Sequence, residues 1–316
     1  MARWTTDDMP DLTGRVMVVT GANSGLGLAA TKALAAKGAT VVMACRDPGR
    51  AEAAADGIRA DVPQARLELR ALDLASLDSV AAFAADVAKA HPAIDVLMNN
   101  AGVMALPKSR TKDGFETQLG TNHLGHFALT LRLLPALEAA AAPRVVVVAS
   151  SAHRWGRIDF DDLMGEQRYA PWPRYGQSKL ANLLFAYELE RRLRAQGRKA
   201  IAVAAHPGYS ATNLQHVAPK LTGSRAMGWL MDVGNAVLAM DAAQGALPQL
   251  RAATDPGVKG GEYYGPDGWF ELRGWPVRVD STPASKDEAV ARRLWETSEA
   301  LTGVAFPDAR EARAAS

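Results

Sequence analysis

The chain has 316 residues, 48% hydrophobic and 22% charged, and its 36 basic and 34 acidic side chains leave a net charge of +2. Such a chain can bury a substantial core, and without a long basic run or a charge excess it gives no sign of a nucleic-acid partner. The single cysteine, Cys45, excludes an internal disulfide and a cysteine-based zinc site, and it is compatible with a reducing cytoplasm.

The opening MARWTTDDMPDLTGR is polar, with neither a signal-peptide core nor a spanning run. No later stretch reaches ~18 uninterrupted apolar residues, so a soluble, cytoplasmic protein is expected. RVMVVT (15–20) predicts a buried strand, GLGLAATKALAAKG (25–38) a helix closed by Gly38, and ATVVMAC (39–45) a second strand. A helix follows with Pro48 in its first turn, then RLELRALDL (66–74) as a third strand and a helix opened by Ser76. IDVLMNNAG (94–102) is the fourth strand. A long helical region spans roughly 114–140, and RVVVVASS (144–151) is the fifth strand. RYGQSKLANLLF (174–185) opens a helix running to about Gly197, and KAIAVAAHPG (199–208) is the sixth strand. Apolar strands alternating with helices predict a doubly wound parallel sheet covered on both faces, in one α/β domain. Residues 209–262 are looser and predict a small insertion over the sheet's carboxyl edge.

TGANSGLG (20–27) joins the first strand to the first helix. Gly21 permits a tight turn, Gly25 lets backbone approach a pyrophosphate, and Gly27 lets the helix pack on the strand. The free N–H groups and positive dipole end of that helix then face the phosphates.

The glycine spacing is G-x-x-x-G-x-G. TGxxxGxG, NNAG (99–102), a serine after the fifth strand, Tyr175-x-x-x-Lys179 and Pro207-Gly208 occur in the order seen in short-chain dehydrogenases/reductases. The resemblance runs from about Gly14 to Thr302 and implies a single Rossmann-type domain. A nucleotide part would span 14–150 and a catalytic part 150–304, with a lid at about 209–262. ETQLGTNHLGHF, VMACRD and GGEYYGPDG resemble the branch holding retinol dehydrogenases, WW-domain oxidoreductases and related bacterial proteins.

The resemblance implies a nicotinamide dinucleotide held by Gly21, Asn23, Ser24, Gly25, Leu26, Gly27, Arg46, Asp73, Leu74, Asn100, Ala101, Gly102, Tyr175, Lys179, Pro207, Gly208 and Thr212. Arg46 falls where the family's 2′-phosphate-binding arginine lies, while Asp47 is expected to cap the next helix. NADP(H) is therefore favoured over NAD(H), although the neutral Asn23 keeps NAD(H) open. Asp73 matches an aspartate that bonds the adenine amino group, and Thr212 a hydroxyl that meets the carboxamide.

Hydride transfer to a carbonyl leaves an oxyanion that needs a proton. A free phenol, at about 10, titrates too high to exchange well near neutral pH. A nearby ammonium and an oxidised nicotinamide would lower it, and four-residue helical spacing sets Lys179 one turn beyond Tyr175. The resemblance implies Tyr175 as general acid/base and Lys179 as its cation and ribose ligand. It also implies Asn122 as holder of a relay water and Ser150, with Ser151 as runner-up, as donor to the substrate oxygen. His123, His126, His153 and His206 lack metal-ligand spacing, so no metal is expected. Met227, Trp229, Leu230, Met231 and Met240 suit either a lipophilic pocket or plain helix core.

The expected activity is oxidoreduction of a small lipophilic alcohol, aldehyde or ketone, of carbonyl reductase or alcohol dehydrogenase type. The homologous helices around 114–140 and 175–195 allow a homodimer or homotetramer. A catalytically silent nucleotide sensor or scaffold is the alternative, though such a protein would usually lose Tyr175, Lys179 or the serine. An enzyme of epimerisation or dehydration is a third possibility that the branch motifs oppose.

Overall fold

The element ends follow from local chemistry. The computed structural model describes residues 3–209 and 240–307. In chain order these form β1 (Val16–Thr20), α1 (Gly25–Ala36), β2 (Thr40–Cys45), α2 (Pro48–Asp61), β3 (Arg66–Ala71) and α3 (Leu77–Ala90). Next come β4 (Val96–Asn99), α4 (Thr117–Leu119), α5 (Gly125–Ala139), β5 (Arg144–Val148), α6 (Pro171–Ala195) and β6 (Ile201–Ala205). Beyond these lie α7 (Ala242–Thr254), β7 (Tyr263–Pro266), β8 (Pro276–Arg278) and α8 (Glu288–Thr302). Asp47 accepts the Arg50 N–H at 3.1 Å and opens α2 just before Pro48. Ser76 caps α3 through the Ser79 N–H. Gly38, at φ 90°, reverses the chain after α1.

The strands lie in the order β3-β2-β1-β4-β5-β6-β7-β8. The first seven are parallel, and β8 runs antiparallel to β7. Successive side chains alternate between two cores, as pleating requires. Val18, Val42 and Leu97 pack with Phe83 of α3, Phe127 of α5 and Leu183 of α6. Met17, Val19 and Met43 pack with Leu34 of α1, Ile58 of α2 and Leu250 of α7. The order reverses between β1 and β4, which makes their carboxyl ends the crevice for a ligand.

Several elements differ from the sequence expectation. β3 ends at Ala71 and β4 at Asn99, so Asp73, Leu74 and Asn100–Gly102 lie in the loops beyond. The region 114–140 is not one helix: between α4 and α5, Gly120–Leu124 form one wide turn in which the Gly125 N–H bonds the Gly120 carbonyl. α6 starts at Pro171, a turn earlier than expected, because proline is well placed in a first helical turn. Within the expected insertion, α7 packs on α1, β5 and β6, so this part belongs to the cover of the sheet. Met240 is buried, whereas Thr212, Met227, Trp229, Leu230 and Met231 lie outside the described residues.

α8 closes the face formed by α5 and α6. Trp295, 2% exposed, stacks on Phe185 with centroids 5.8 Å apart and meets Phe127 edge-on at 5.0 Å. The Arg192 guanidinium lies over its ring at 4.5 Å. One turn on, Ser298 Oγ is 2.9 Å from His123 Nε2. Trp295→Ala would leave a cavity among three packed rings, and a loss of about 3–5 kcal/mol in unfolding free energy is expected in urea denaturation. A loss under 1 kcal/mol would mean that α8 is not part of the cooperative core.

Candidate active site

The glycine loop is tied to the loop after β4 by Thr20 and Asn100. Thr20, the last residue of β1, accepts the Asn100 and Ala101 N–H groups on Oγ1, both at 2.9 Å. Its carbonyl accepts Asn100 Nδ2 at 2.8 Å. Three hydrogen bonds therefore tie the two loops together at the reversal point. Gly21 and Gly25 take φ of 68° and 52°, in the left-handed region. A Cβ on Gly27 would overlap the Gly21 carbonyl oxygen and Asn100 Nδ2.

No side chain caps α1, whose N-cap is Ser24, so its first-turn N–H groups stay free to face an anion. Burial pushes the Cys45 thiol up to about 11, and the Ala22 and Asn23 N–H groups offset part of the rise. Gln249 of α7 reaches the Leu26 carbonyl at 3.3 Å. These residues suit a dinucleotide pyrophosphate.

Arg46 follows β2 directly and is exposed, and it forms no ion pair among the described residues. Asp73 accepts the Ala75 N–H at 3.1 Å, and its carboxylate lies 3.9 Å from Lys112 Nζ. Leu74 is buried under Gly125, where a Cβ would overlap the Leu74 carbonyl.

A cavity of about 210 Å³ opens at the carboxyl ends of β4, β5 and β6. Leu26, Asn100, Gly102, Ser150, Tyr175 and Lys179 line it, as do Ser151, Pro207 and Gly208. The sequence-derived residues of both halves thus meet at one place, while Arg46 and Asp73 stand further along the edge, beyond β2 and β3. The apolar wall was not foreseen: Val103, Met104, Trp155, Trp172 and Tyr209 also line the cavity. Trp172 stands one helical turn before Tyr175, a spacing that could have exposed it, and the two rings meet edge-on at 6.2 Å.

Lys179 is 5% exposed, and its Nζ donates to the Val148 carbonyl at 3.1 Å. Burial pulls the ammonium down to about 8. The ammonium lies 5.9 Å from the centre of the Tyr175 ring. Burial pushes the Tyr175 phenol up to about 12, and a hydrogen bond with Ser150 offsets part of the rise. In the protein alone, burial therefore outweighs the lowering that the sequence led us to expect.

Ser150 Oγ also accepts the Ala152 N–H at 3.2 Å, which sets the turn Ser151–Trp155. Asn122 sits in the wide turn, fully buried. Its Oδ1 accepts the Val103 N–H at 2.7 Å, and its Nδ2 donates to the Val103 carbonyl and to Ser178 Oγ, each at 2.9 Å. Asn122 thus ties the loop after β4 to α6. His126 spans Thr20 Oγ1 and the Asn122 carbonyl, and burial holds both His123 and His126 neutral near pH 7, at about 3 and 4. Among the described residues, no three His, Cys, Asp or Glu side chains gather to hold a metal, and no helix is long and apolar enough to cross a membrane.

A family model described as short chain dehydrogenase matches residues 15–221. Retinol dehydrogenase 14 of Mus musculus is 41% identical over 304 residues, covering 92% of this chain and 86% of its own. Polyprenol dehydrogenase of Mus musculus is 39% identical over 308 residues, covering 95% and 87%. The crystal structure of an uncharacterised protein from Mycobacterium paratuberculosis is 45% identical, with a TM-score of 0.81 over 97% of this chain and 100% of that one. A short chain dehydrogenase from Shigella flexneri, crystallised with NADP, shares the fold at 21% identity and a TM-score of 0.62, over 81% of this chain and 98% of its own. The glycine cradle, the cavity and these relatives agree: the chain belongs to the short-chain dehydrogenase/reductase family of nicotinamide-dependent oxidoreductases, in its retinol dehydrogenase-like branch.

Proposed function

We propose that the chain moves a hydride between NADP(H) and a hydrophobic alcohol, aldehyde or ketone, with Tyr175 as the general acid/base. The observation that carries this is the convergence of Ser150, Tyr175 and Lys179 with Leu26 and Gly102 on one cavity. A nicotinamide bound there would supply the hydride and, once oxidised, a positive charge.

In the reducing direction the Tyr175 hydroxyl gives its proton to the developing alkoxide, and Ser150 donates a hydrogen bond to the same oxygen. A phenol held at about 12 stays protonated and ready to give its proton near neutral pH. A second positive charge near the ring would stabilise the phenolate that remains. Lys179, fixed on the Val148 carbonyl, faces the Gly102 backbone and can bind ribose hydroxyls there. Asn122 holds the Val103 backbone and so sets the shape of the floor.

The apolar wall of Val103, Met104, Trp155 and Trp172 favours a lipophilic substrate. Relatives named for retinol and polyprenol, both lipophilic alcohols, support the same class. NADP(H) is proposed because Arg46 is exposed and unpaired among the described residues, whereas Asp47 is engaged in capping α2. A cytoplasmic location accords with the lone, unpaired Cys45.

Reduction of a panel of aliphatic and aryl aldehydes, followed by NADPH absorbance, tests the assignment. Tyr175→Phe is expected to lower kcat by at least ~100-fold while NADPH fluorescence titration gives an unchanged Kd. Wild-type kcat in that variant would remove Tyr175 from the chemistry. Arg46→Asp is expected to shift the ratio of kcat/KM for NADPH over NADH towards NADH by ~10-fold or more. An unchanged ratio would place 2′-phosphate recognition elsewhere.

A further inference from the structure

The tip of the β7–β8 hairpin is strained. Phe270 and Glu271 take φ of 50° and 57°, and Ala105 is the one other non-glycine residue with positive φ among those described. Such backbone persists only where the surroundings over-determine it, and it clusters at functional sites. Apolar packing does not hold this tip, since Trp269 and Phe270 are 78% and 72% exposed. Among the described residues, backbone bonds from Gly268 to the Arg273 carbonyl, from Leu272 to the Trp269 carbonyl and from Tyr209 to the Leu272 carbonyl hold it, together with the Glu271 carboxylate, which turns inward.

Each carboxylate oxygen meets a residue next in the chain to a different wall of the cavity, Arg154 before Trp155 and His206 before Pro207. Oε1 accepts Arg154 Nη2 at 2.8 Å. Arg154 belongs to the turn that follows Ser150, where His153 Nδ1 lies 2.7 Å from the Ser150 carbonyl. Oε2 lies 3.0 Å from His206 Nε2, within ion-pair range but off the line of a good hydrogen bond. His206 Nδ1 accepts the Gly208 N–H at 3.3 Å, which leaves Nε2 as the ring nitrogen that faces the carboxylate.

The backbone repeats the junction. The Tyr209 N–H donates to the Leu272 carbonyl at 2.7 Å, and a Cβ on Gly208 would press on the Glu271 and Leu272 carbonyls. His206 and Arg154 outweigh the effect of burial and hold the Glu271 carboxyl below the usual carboxylate range.

We propose that Glu271 is a positioning residue: its carboxylate clamps the Ser150–Trp155 turn to the Pro207–Tyr209 turn and so fixes the distance between the two walls that grip substrate and nicotinamide. This rests on the oxidoreductase assignment for its kinetic consequence but not for its structural one. Glu271 lies outside the cavity and touches no reacting atom. It acts through Arg154 and His206, the charged or titratable groups it contacts; Tyr263 packs against His206, and His153 packs against Tyr263.

Glu271→Asn separates the clamp from the strain, because asparagine tolerates left-handed backbone but is too short to span both partners. Glu271→Gln keeps the reach and can still accept one of the two bonds. On aldehyde reduction by NADPH, Glu271→Asn is expected to lower kcat/KM by ~10- to 100-fold, a loss of the size that small misplacements bring. Glu271→Gln should recover part of it. Arg154→Met combined with Glu271→Asn should lose no more than Glu271→Asn alone, since both remove the same contact.

Independently of turnover, amide hydrogen exchange of the protein alone should be faster at His153, Gly208 and Tyr209 in Glu271→Asn, with an unchanged urea midpoint. Wild-type kcat/KM together with wild-type exchange in Glu271→Asn would overturn the proposal, as would additive losses in the double variant. If Glu271→Asn fails to fold, Glu271→Gln decides by the same two readouts. Wild-type protein that reduces none of the aldehydes would count against the oxidoreductase assignment, and the exchange data would still decide the clamp.

Discussion

A lysine ammonium buried at the edge of a sheet is the constraint around which the site is built. Removing a cation from water is unfavourable unless fixed dipoles replace the water. Here the replacement is the Val148 carbonyl, free because the strand ladder ends there, and it accepts both Lys179 Nζ and Asn182 Nδ2. Two bonds from one face of α6 to one carbonyl fix the helix in rotation and along its axis. Tyr175 then has one place to stand, a turn before Lys179, and Ser178 is held against Asn122. Because Asn122 also grips the Val103 backbone, the buried ammonium sets the position of the loop after β4 as well.

The wide turn at Gly120–Leu124 becomes intelligible in this frame. One extra residue in the turn breaks the helical register between α4 and α5. Asn122 sits inside it, fully buried, with both its amide and its carbonyl engaged. A regular helix would carry that side chain around with its neighbours. The irregularity is what allows Leu119 to stay in one apolar cluster and Phe127 in another while Asn122 turns to the loop.

How much of this was legible in the sequence depends on the range of the interaction. The apolar strands, the glycine loop and the caps at Asp47 and Ser76 are local, and each can be read within a few residues. Tyr175 and Lys179 share one helical face by spacing alone, and they meet the glycine cradle because strand order brings them there. The wide turn was not legible, since a single inserted residue barely disturbs a periodicity that is apolar nearly all round. β7 and β8 are too short, and too interrupted by Gly265, Pro266 and Pro276, to give an alternating pattern. Glu271 could not be read at all, because Arg154 lies 117 residues away and nothing in their neighbourhoods pairs them.

The two halves of the site are therefore built from different materials. The nucleotide half is held by the Thr20 hydroxyl and carbonyl, which take the Asn100 and Ala101 N–H groups and the Asn100 side-chain amide, and by Gly27, which leaves no room for a Cβ. Few substitutions there could spare it. The substrate half is walled by Trp155, Trp172, Met104 and Tyr209, and its walls are joined through side chains such as Arg154 and Glu271. Side-chain contacts can be exchanged without moving a strand, so this half can be reshaped while the cradle and the Tyr175–Lys179 pair keep their geometry. On the proposed function, substrate choice would reside where the fold is least constrained by its own backbone, while the position of Tyr175, the proposed proton donor, follows from the sheet.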